Sequence, residues 1–94
     1  MNKLSIGVIL MVYVDKSANR FGRMIMCHML ADTVNELQEM ARQLDLKPEW
    51  FQNENTPHYD ISLKKRYQAI RNGAKEIDRF KVVEIIRAFR KESE

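Results

Sequence analysis

"MIMCHMLADTVNELQEMARQL", residues 24–44, changes periodicity partway along, and that change decides the fold. Met24 to Ala31 is an apolar run of strand length. Beyond Asp32, Val34, Leu37, Ala41 and Leu44 recur at helical spacing with Met40 alongside, which puts them on one face of a helix. Thr33 and Glu36 match the capping box, in which the N-cap hydroxyl and the later carboxylate satisfy each other's backbone N–H groups. A strand thus runs straight into a helix.

Upstream, Ile6 to Val14 reads as a strand that is apolar on both faces, which implies cover on both sides. "DKSANRFG", residues 15–22, supplies turn residues, with Gly22 free to take positive φ, so the two strands form an antiparallel hairpin. Downstream, Pro48 stops the helix, "EWFQ" (49–52) reads as a short strand and "NENTP" (53–57) as an exposed loop. A second helix is expected from Ser62 to about Asn72, burying Leu63, Tyr67 and Ile70, with Gly73 ending it. "AKEI" (74–77) reads as a further short strand. Asp78 then caps a last helix with Phe80, Val83, Ile86 and Phe89 on one face and Val82 and Ile85 beside it. The order ββαβαβα predicts an α/β class: one small domain over residues 1–94, a mixed sheet of about three to four strands, and three helices.

Composition narrows the class. Of 94 residues, 45% are hydrophobic and 31% charged, which fits an ordered globular chain and excludes a disordered one. A single cysteine cannot form an internal disulfide, so a reducing cytoplasm suits it. Cys27 lies in an apolar run and reads as a small buried hydrophobe, not a nucleophile. The opening "MNKLSIGVILMVYVD" lacks a small-x-small cleavage site and is too short to span a bilayer, so no membrane anchor is expected.

The net charge of +3 is unevenly placed. Residues 1–61 carry six Lys/Arg against eight Asp/Glu, and residues 62–94 carry ten against five. The basic last third favours an anionic partner.

"PHYDISLKKR", residues 57–66, carries the sharpest functional signal. Ser62 as N-cap, followed by Lys64, Lys65 and Arg66, puts cations in a first helical turn, where they oppose the macrodipole by ~0.3–1 kcal/mol each. Helix N-termini bind phosphate readily. The leading expectation is therefore a small cytoplasmic protein that binds a phosphate-bearing or nucleotide-like ligand. Its site would combine the helix starts at Thr33 and Ser62 with His58, Tyr59, Asp60, Lys64, Lys65 and Arg66. If the strands feeding those two helices are parallel neighbours, both helix starts meet at one sheet edge.

A second expectation is a metal-dependent hydrolase acting on phosphate esters. His28, Asp32, His58 and Asp60 are ligand types for Zn²⁺ or Mn²⁺, and His58, Asp60 and Asp32 are the candidate catalytic groups. His28 shares strand parity with Met24, Met26 and Leu30, so its ring reads as core, which makes His58 the better ligand. A third class is a protein–protein interaction module, including a homo-oligomer. Nucleic-acid binding ranks lower, because Glu84 and Glu92 interrupt the basic last helix. Trp50 and Phe51 read as packing against the helices.

"MVYVD", "MIMCHMLADTVNEL", "WFQ", "PHYDIS" and "KRYQAIRNGAKEI", in that order, resemble a domain-of-unknown-function family of small bacterial and phage proteins. The resemblance runs from about Met11 to Ile77 and makes residues 1–10 an extension of the first strand. The motif positions it implies are Asp15, His28, Asp32, Trp50, Gln52, His58, Tyr59, Asp60, Lys65 or Arg66, and Gly73. A phage setting would imply a host nucleotide signal as the target, sequestered or cleaved.

Overall fold

In a computed structural model that describes residues 10–92, apolar positions alternate across the longest strand, and each set recruits its own helices. The strands are β1 (Val12–Val14), β2 (Asn19–Phe21), β3 (Met24–Ala31), β4 (Tyr59–Ser62) and β5 (Lys75–Glu76). The helices are α1 (Val34–Gln43), α2 (Leu63–Arg71) and α3 (Arg79–Glu92), with a 3-10 turn at Pro48–Trp50. The architecture is the expected small α/β domain with a mixed sheet and three helices. The described residues form five strands, slightly more than the sequence indicated. The part of the first strand expected at residues 6–9 lies outside the described residues.

β3 is the hub. It pairs antiparallel with β1, β2 and β4, and β5 joins β1 in parallel. Met26 faces Asn19 on one side and Ser62 on the other, so β4 occupies the opposite flank of β3 from β1 and β2. Cys27, Met29 and Ala31 pack with Val12, Val14, Tyr59 and Ile61 beneath Leu37, Met40 and Ala41 of α1 and Ala69 of α2. The alternate face puts Tyr13 and Leu30 against Ile77 and Ile85, under α3. This is why β1 and the end of β3 from Met29 to Ala31 read as apolar throughout: both sheet faces are covered there, while Met24 and Ile25 at the start of β3 are exposed.

Several local expectations need correction. "EWFQ" is no strand: Pro48 opens a 3-10 turn, and Gln52 makes an isolated bridge with His58. "YDIS", to which the sequence assigned no strand, forms one, since Tyr59 and Ile61 alternate into the core with half-buried Asp60 and Ser62. Asn19–Phe21, read as turn, pairs with β3, and the reversal is confined to Gly22 and Arg23, with Gly22 at φ 62°. Thr33 does cap α1, accepting from the Glu36 N–H at 3.2 Å, but the Glu36 carboxylate reaches back to the Met11 N–H at 2.7 Å rather than to that of Thr33.

Helical faces are also rotated from expectation. Leu63 and Tyr67 are exposed, Ile70 packs against the core as expected, and the fully buried residue of α2 is Ala69. The helix starts directly off β4, so the strand's pleat sets its rotation. In α3 the docked residue is Ile85, with Val82 and Phe89 beside it, while Phe80 and Val83 face out. Phe51 packs on the Tyr59 ring at 5.6 Å, whereas Trp50 is exposed beneath the Lys47 ammonium.

Candidate functional site

Two registers build the site. Between the pairs Val14↔Met29 and Asn19↔Met26, four residues of one strand oppose two of β3. Asp15 extends the β1–β3 ladder opposite His28, its N–H donating to the His28 carbonyl at 3.0 Å, and with the bulge following it the return bond from the His28 N–H goes to its side chain at 2.9 Å. Across the other flank, His28 and Asp60 are direct partners in the β3–β4 ladder. His58 lies two residues before Asp60 and so shares its face.

Asp15 is buried, yet it is fully hydrogen-bonded. Its Oδ1 accepts from the His28 N–H (2.9 Å), the Ser17 hydroxyl (2.8 Å) and the Ser17 N–H (3.2 Å). Its Oδ2 accepts from His28 Nδ1 at 2.7 Å. Burial by itself would raise the Asp15 pKa, but the donors from His28 and Ser17 outweigh it and hold the carboxyl below its ordinary value. His58 Nδ1 donates to the Thr56 carbonyl at 2.8 Å. Both imidazoles therefore carry their proton on Nδ1 and leave Nε2 toward Asp60, at 3.7 Å from Oδ1 for His28 and 3.8 Å for His58. Gln52 Nε2 donates to the other Asp60 oxygen at 2.8 Å and fixes the carboxylate. The two rings meet edge-to-face with centroids 5.7 Å apart.

The rings open onto a cleft of about 370 Å³ between β3, the 54–58 loop and α3. Leu30, Val82 and Ile86 give it an apolar wall, with Glu54, Asn55, Thr56 and Arg90 on the remaining sides.

Other predicted site residues lie elsewhere. Asp32 is four residues along β3 from His28, ~13 Å away, and accepts a hydrogen bond from the Tyr13 hydroxyl at 3.0 Å. Burial first, and then that bond, push the Tyr13 pKa up to about 12. Tyr59 is buried, with its hydroxyl donated to Gln38.

β3 and β4 are antiparallel, not parallel, so the two helix starts do not meet. Ser62 aligns with Met26, which puts it seven residues, ~23 Å, from Thr33. The cations after Ser62 are also engaged within the fold. Lys65 Nζ donates to the Leu44 carbonyl at 2.6 Å, and Arg66 bonds the Asp15 carbonyl at 2.9 Å and the Glu76 carboxylate at 2.7 Å. Lys64 is exposed. Cys27 is fully buried, and burial raises its thiol pKa to about 11, which leaves no thiolate for chemistry near pH 7.

His28 needs the plainest correction. It is half-exposed rather than core, because α3 covers the face at Leu30 and leaves the His28 end open. Among the described residues, no three His, Cys, Asp or Glu side chains are drawn as close as a formed metal cage requires. Asp15 and Gln52 were visible in the sequence only through the family resemblance, and Ser17, Thr56 and Arg90 gave no signal at all. The parity of Tyr13 and Asp15, with Tyr13 paired to Leu30, would have placed Asp15 on the His28 face once the hairpin register was known.

No helix among the described residues is long and apolar enough to cross a membrane. No curated protein and no solved structure matches the chain. A family model described as a protein of unknown function, DUF4031, matches residues 12–89. With that match spanning most of its 94 residues, the chain belongs to this family of proteins of unknown function.

Proposed function

We propose that the cleft beside His28 and His58 binds a small phosphate-bearing ligand of nucleotide size. One observation carries the reading: two imidazoles and Arg90 line the same cleft as an apolar wall. The Arg90 guanidinium supplies the charge and donors that suit a phosphate, and Leu30, Val82 and Ile86 suit the face of a base or sugar. Glu54 and Asn55 offer polar contacts to hydroxyl or amino groups. This keeps the ligand class expected from the sequence and moves it from the helix starts to the cleft. A single buried cysteine fits work in the cytoplasm, and a nucleotide signal of a host cell falls within the ligand class.

A thermal-shift panel of inorganic phosphate, mononucleotides and nucleotide sugars tests the reading. A ligand present at ten times its Kd adds about 1.4 kcal/mol, which raises Tm by about 6–10 °C in a domain of this size. The shift is expected for at least one phosphate compound and is expected to vanish in His58→Ala. No shift with any member at 10 mM, a level chosen to exceed about millimolar Kd values, would rule the cleft out.

A second reading draws on the hairpin tip. Phe21 and Met24 are cross-strand partners and are 73% and 51% exposed, and among the described residues β2 has no second strand neighbour. Such an apolar edge suits pairing with another copy of the chain. Light scattering after size exclusion is expected to show a dimer that becomes monomeric in Phe21→Lys; a monomer at all concentrations would dismiss it.

A further inference from the structure

The hydrogen bonds around the two histidines leave a specific contradiction that a cation would resolve. Each Nδ1 has as its shortest contact a group that can only accept, the Asp15 carboxylate at 2.7 Å and the Thr56 carbonyl at 2.8 Å, while the Ser17 hydroxyl, 3.2 Å from His28 Nδ1, is donated to Asp15. In the neutral ring this puts the proton on Nδ1 and a bare lone pair on Nε2. Two such lone pairs then face Asp60 Oδ1, which is itself an acceptor. Protons on both Nε2 atoms would make two hydrogen bonds to Oδ1, but 3.7 and 3.8 Å are too long for them. Three acceptors converge, and among the described residues no side-chain donor is seen to bridge them.

We propose that His28 Nε2, His58 Nε2 and Asp60 Oδ1 form the seat of one divalent first-row cation of the Zn²⁺ or Mn²⁺ type. Imidazole with carboxylate selects such ions over Mg²⁺ and Ca²⁺, which prefer oxygen alone. Donors ~2.1 Å from a tetrahedral ion lie ~3.4 Å from one another. The two Nε2–Oδ1 separations exceed that by a few tenths of an ångström, so the seat is open rather than closed, and cation binding would have to draw Asp60 and the two rings together. The supporting groups are already in place. Metal-bound imidazoles donate their other N–H to a carboxylate or carbonyl, as His28 does to Asp15 and His58 to Thr56. Gln52 holds Asp60 through Oδ2 and so aims Oδ1 at the rings.

Three protein ligands leave positions for water and for a ligand oxygen on the cleft side. If the cleft reading holds, a phosphate ester there meets a metal-bound water of lowered pKa. In its hydrolysis the water oxygen bonds to phosphorus, the ester P–O bond breaks, and the departing alcohol takes a proton from that water. The substrate depends on the cleft reading; the seat depends only on its three donors.

Chelator-stripped full-length chain, titrated with Zn²⁺ and with Mn²⁺ and followed by calorimetry, tests the seat. Imidazole ¹⁵N spectra during the Zn²⁺ titration identify the ligating nitrogens. The expected result is one cation per chain, with Zn²⁺ moving the Nε2 resonances of His28 and His58 and leaving Nδ1 protonated. Asp60→Asn keeps the side-chain shape and is expected to weaken binding at least tenfold, as is His58→Ala, with circular dichroism and Tm checking that each variant folds. Absence of binding by both ions, or binding that Asp60→Asn does not change, would overturn the proposal. Cation uptake without any phosphate ligand would retire the cleft reading and keep the seat; phosphate uptake by metal-free protein, with no cation bound, would do the reverse.

Discussion

Replacing Leu37 with alanine is expected to remove about 3 kcal/mol of stability, within the ~2–5 kcal/mol range for leucine truncation in a core. Leu37 is 1% exposed and lies on the α1 face that also carries Met40, Ala41 and Leu44. Those side chains cover Val12, Val14 and Met29 of the sheet, so the truncated side chain leaves a cavity at the helix–sheet junction. The rigid β-sheet below cannot rise to fill it. A domain of this length has ~5–14 kcal/mol in total, so roughly a fifth to more than half of the margin goes. In urea the midpoint is expected to fall by about 2 M with the slope unchanged. A loss under ~1 kcal/mol would mean that α1 docks loosely and that the sheet face is not the main core.

The same helix shows which features were legible in the sequence. α1 was readable because its periodicity, its Thr33 cap and its stop before Pro48 all agree, so local and global preferences coincide. α2 and α3 were placed correctly, but their buried faces only in part: Ile70, Val82, Ile85 and Phe89 pack inward as expected, whereas Leu63, Tyr67, Phe80 and Val83 do not. Each has apolar residues all round: Leu63 and Tyr67 against Ala69, Phe80 and Val83 against Ile85. With such a pattern the docked face is set by the strand leading into the helix, which is tertiary information. β4 was hidden for a related reason, because His58-Tyr59-Asp60 reads as polar loop until Tyr59 is known to point inward.

The site was half legible. His58 and Asp60 stood out by type, and His28 was discounted because strand parity placed it with Met26 and Leu30. The parity was right; the cover was misjudged. Whether a strand face is core depends on where a helix ends, and α3 leaves the His28 end open. The antiparallel β3–β4 register then made His28 and Asp60 neighbours and separated Thr33 from Ser62. One strand direction exchanged an anion cradle at two helix starts for a His–His–Asp centre.

Asp15 offers the sharpest separation between holding the fold and tuning the site. Asp15→Ala is expected to cost about 2–4 kcal/mol, because two buried N–H groups and the Ser17 hydroxyl lose their acceptor together. Asp15→Asn is expected to cost ~1 kcal/mol or less, since its amide oxygen can take the place of Oδ1. Its NH₂ group, however, then faces His28 Nδ1 and can only donate to it. The imidazole must therefore move its proton to Nε2, which removes the lone pair facing Asp60. Cation binding is expected to fall at least tenfold in the asparagine variant although the fold persists, and ¹⁵N imidazole spectra would show the tautomer change directly. The pH dependence follows the same carboxylate. Its folded pKa lies below the unfolded value of ~3.9, so its contribution is complete above that pH and is lost as pH falls through the folded pKa. Metal-free wild type should therefore lose stability below about pH 4–5 more steeply than Asp15→Asn, which has no proton to take up there. Parallel acid unfolding curves for the two proteins would show that the Asp15 carboxylate is not held charged by His28 and Ser17.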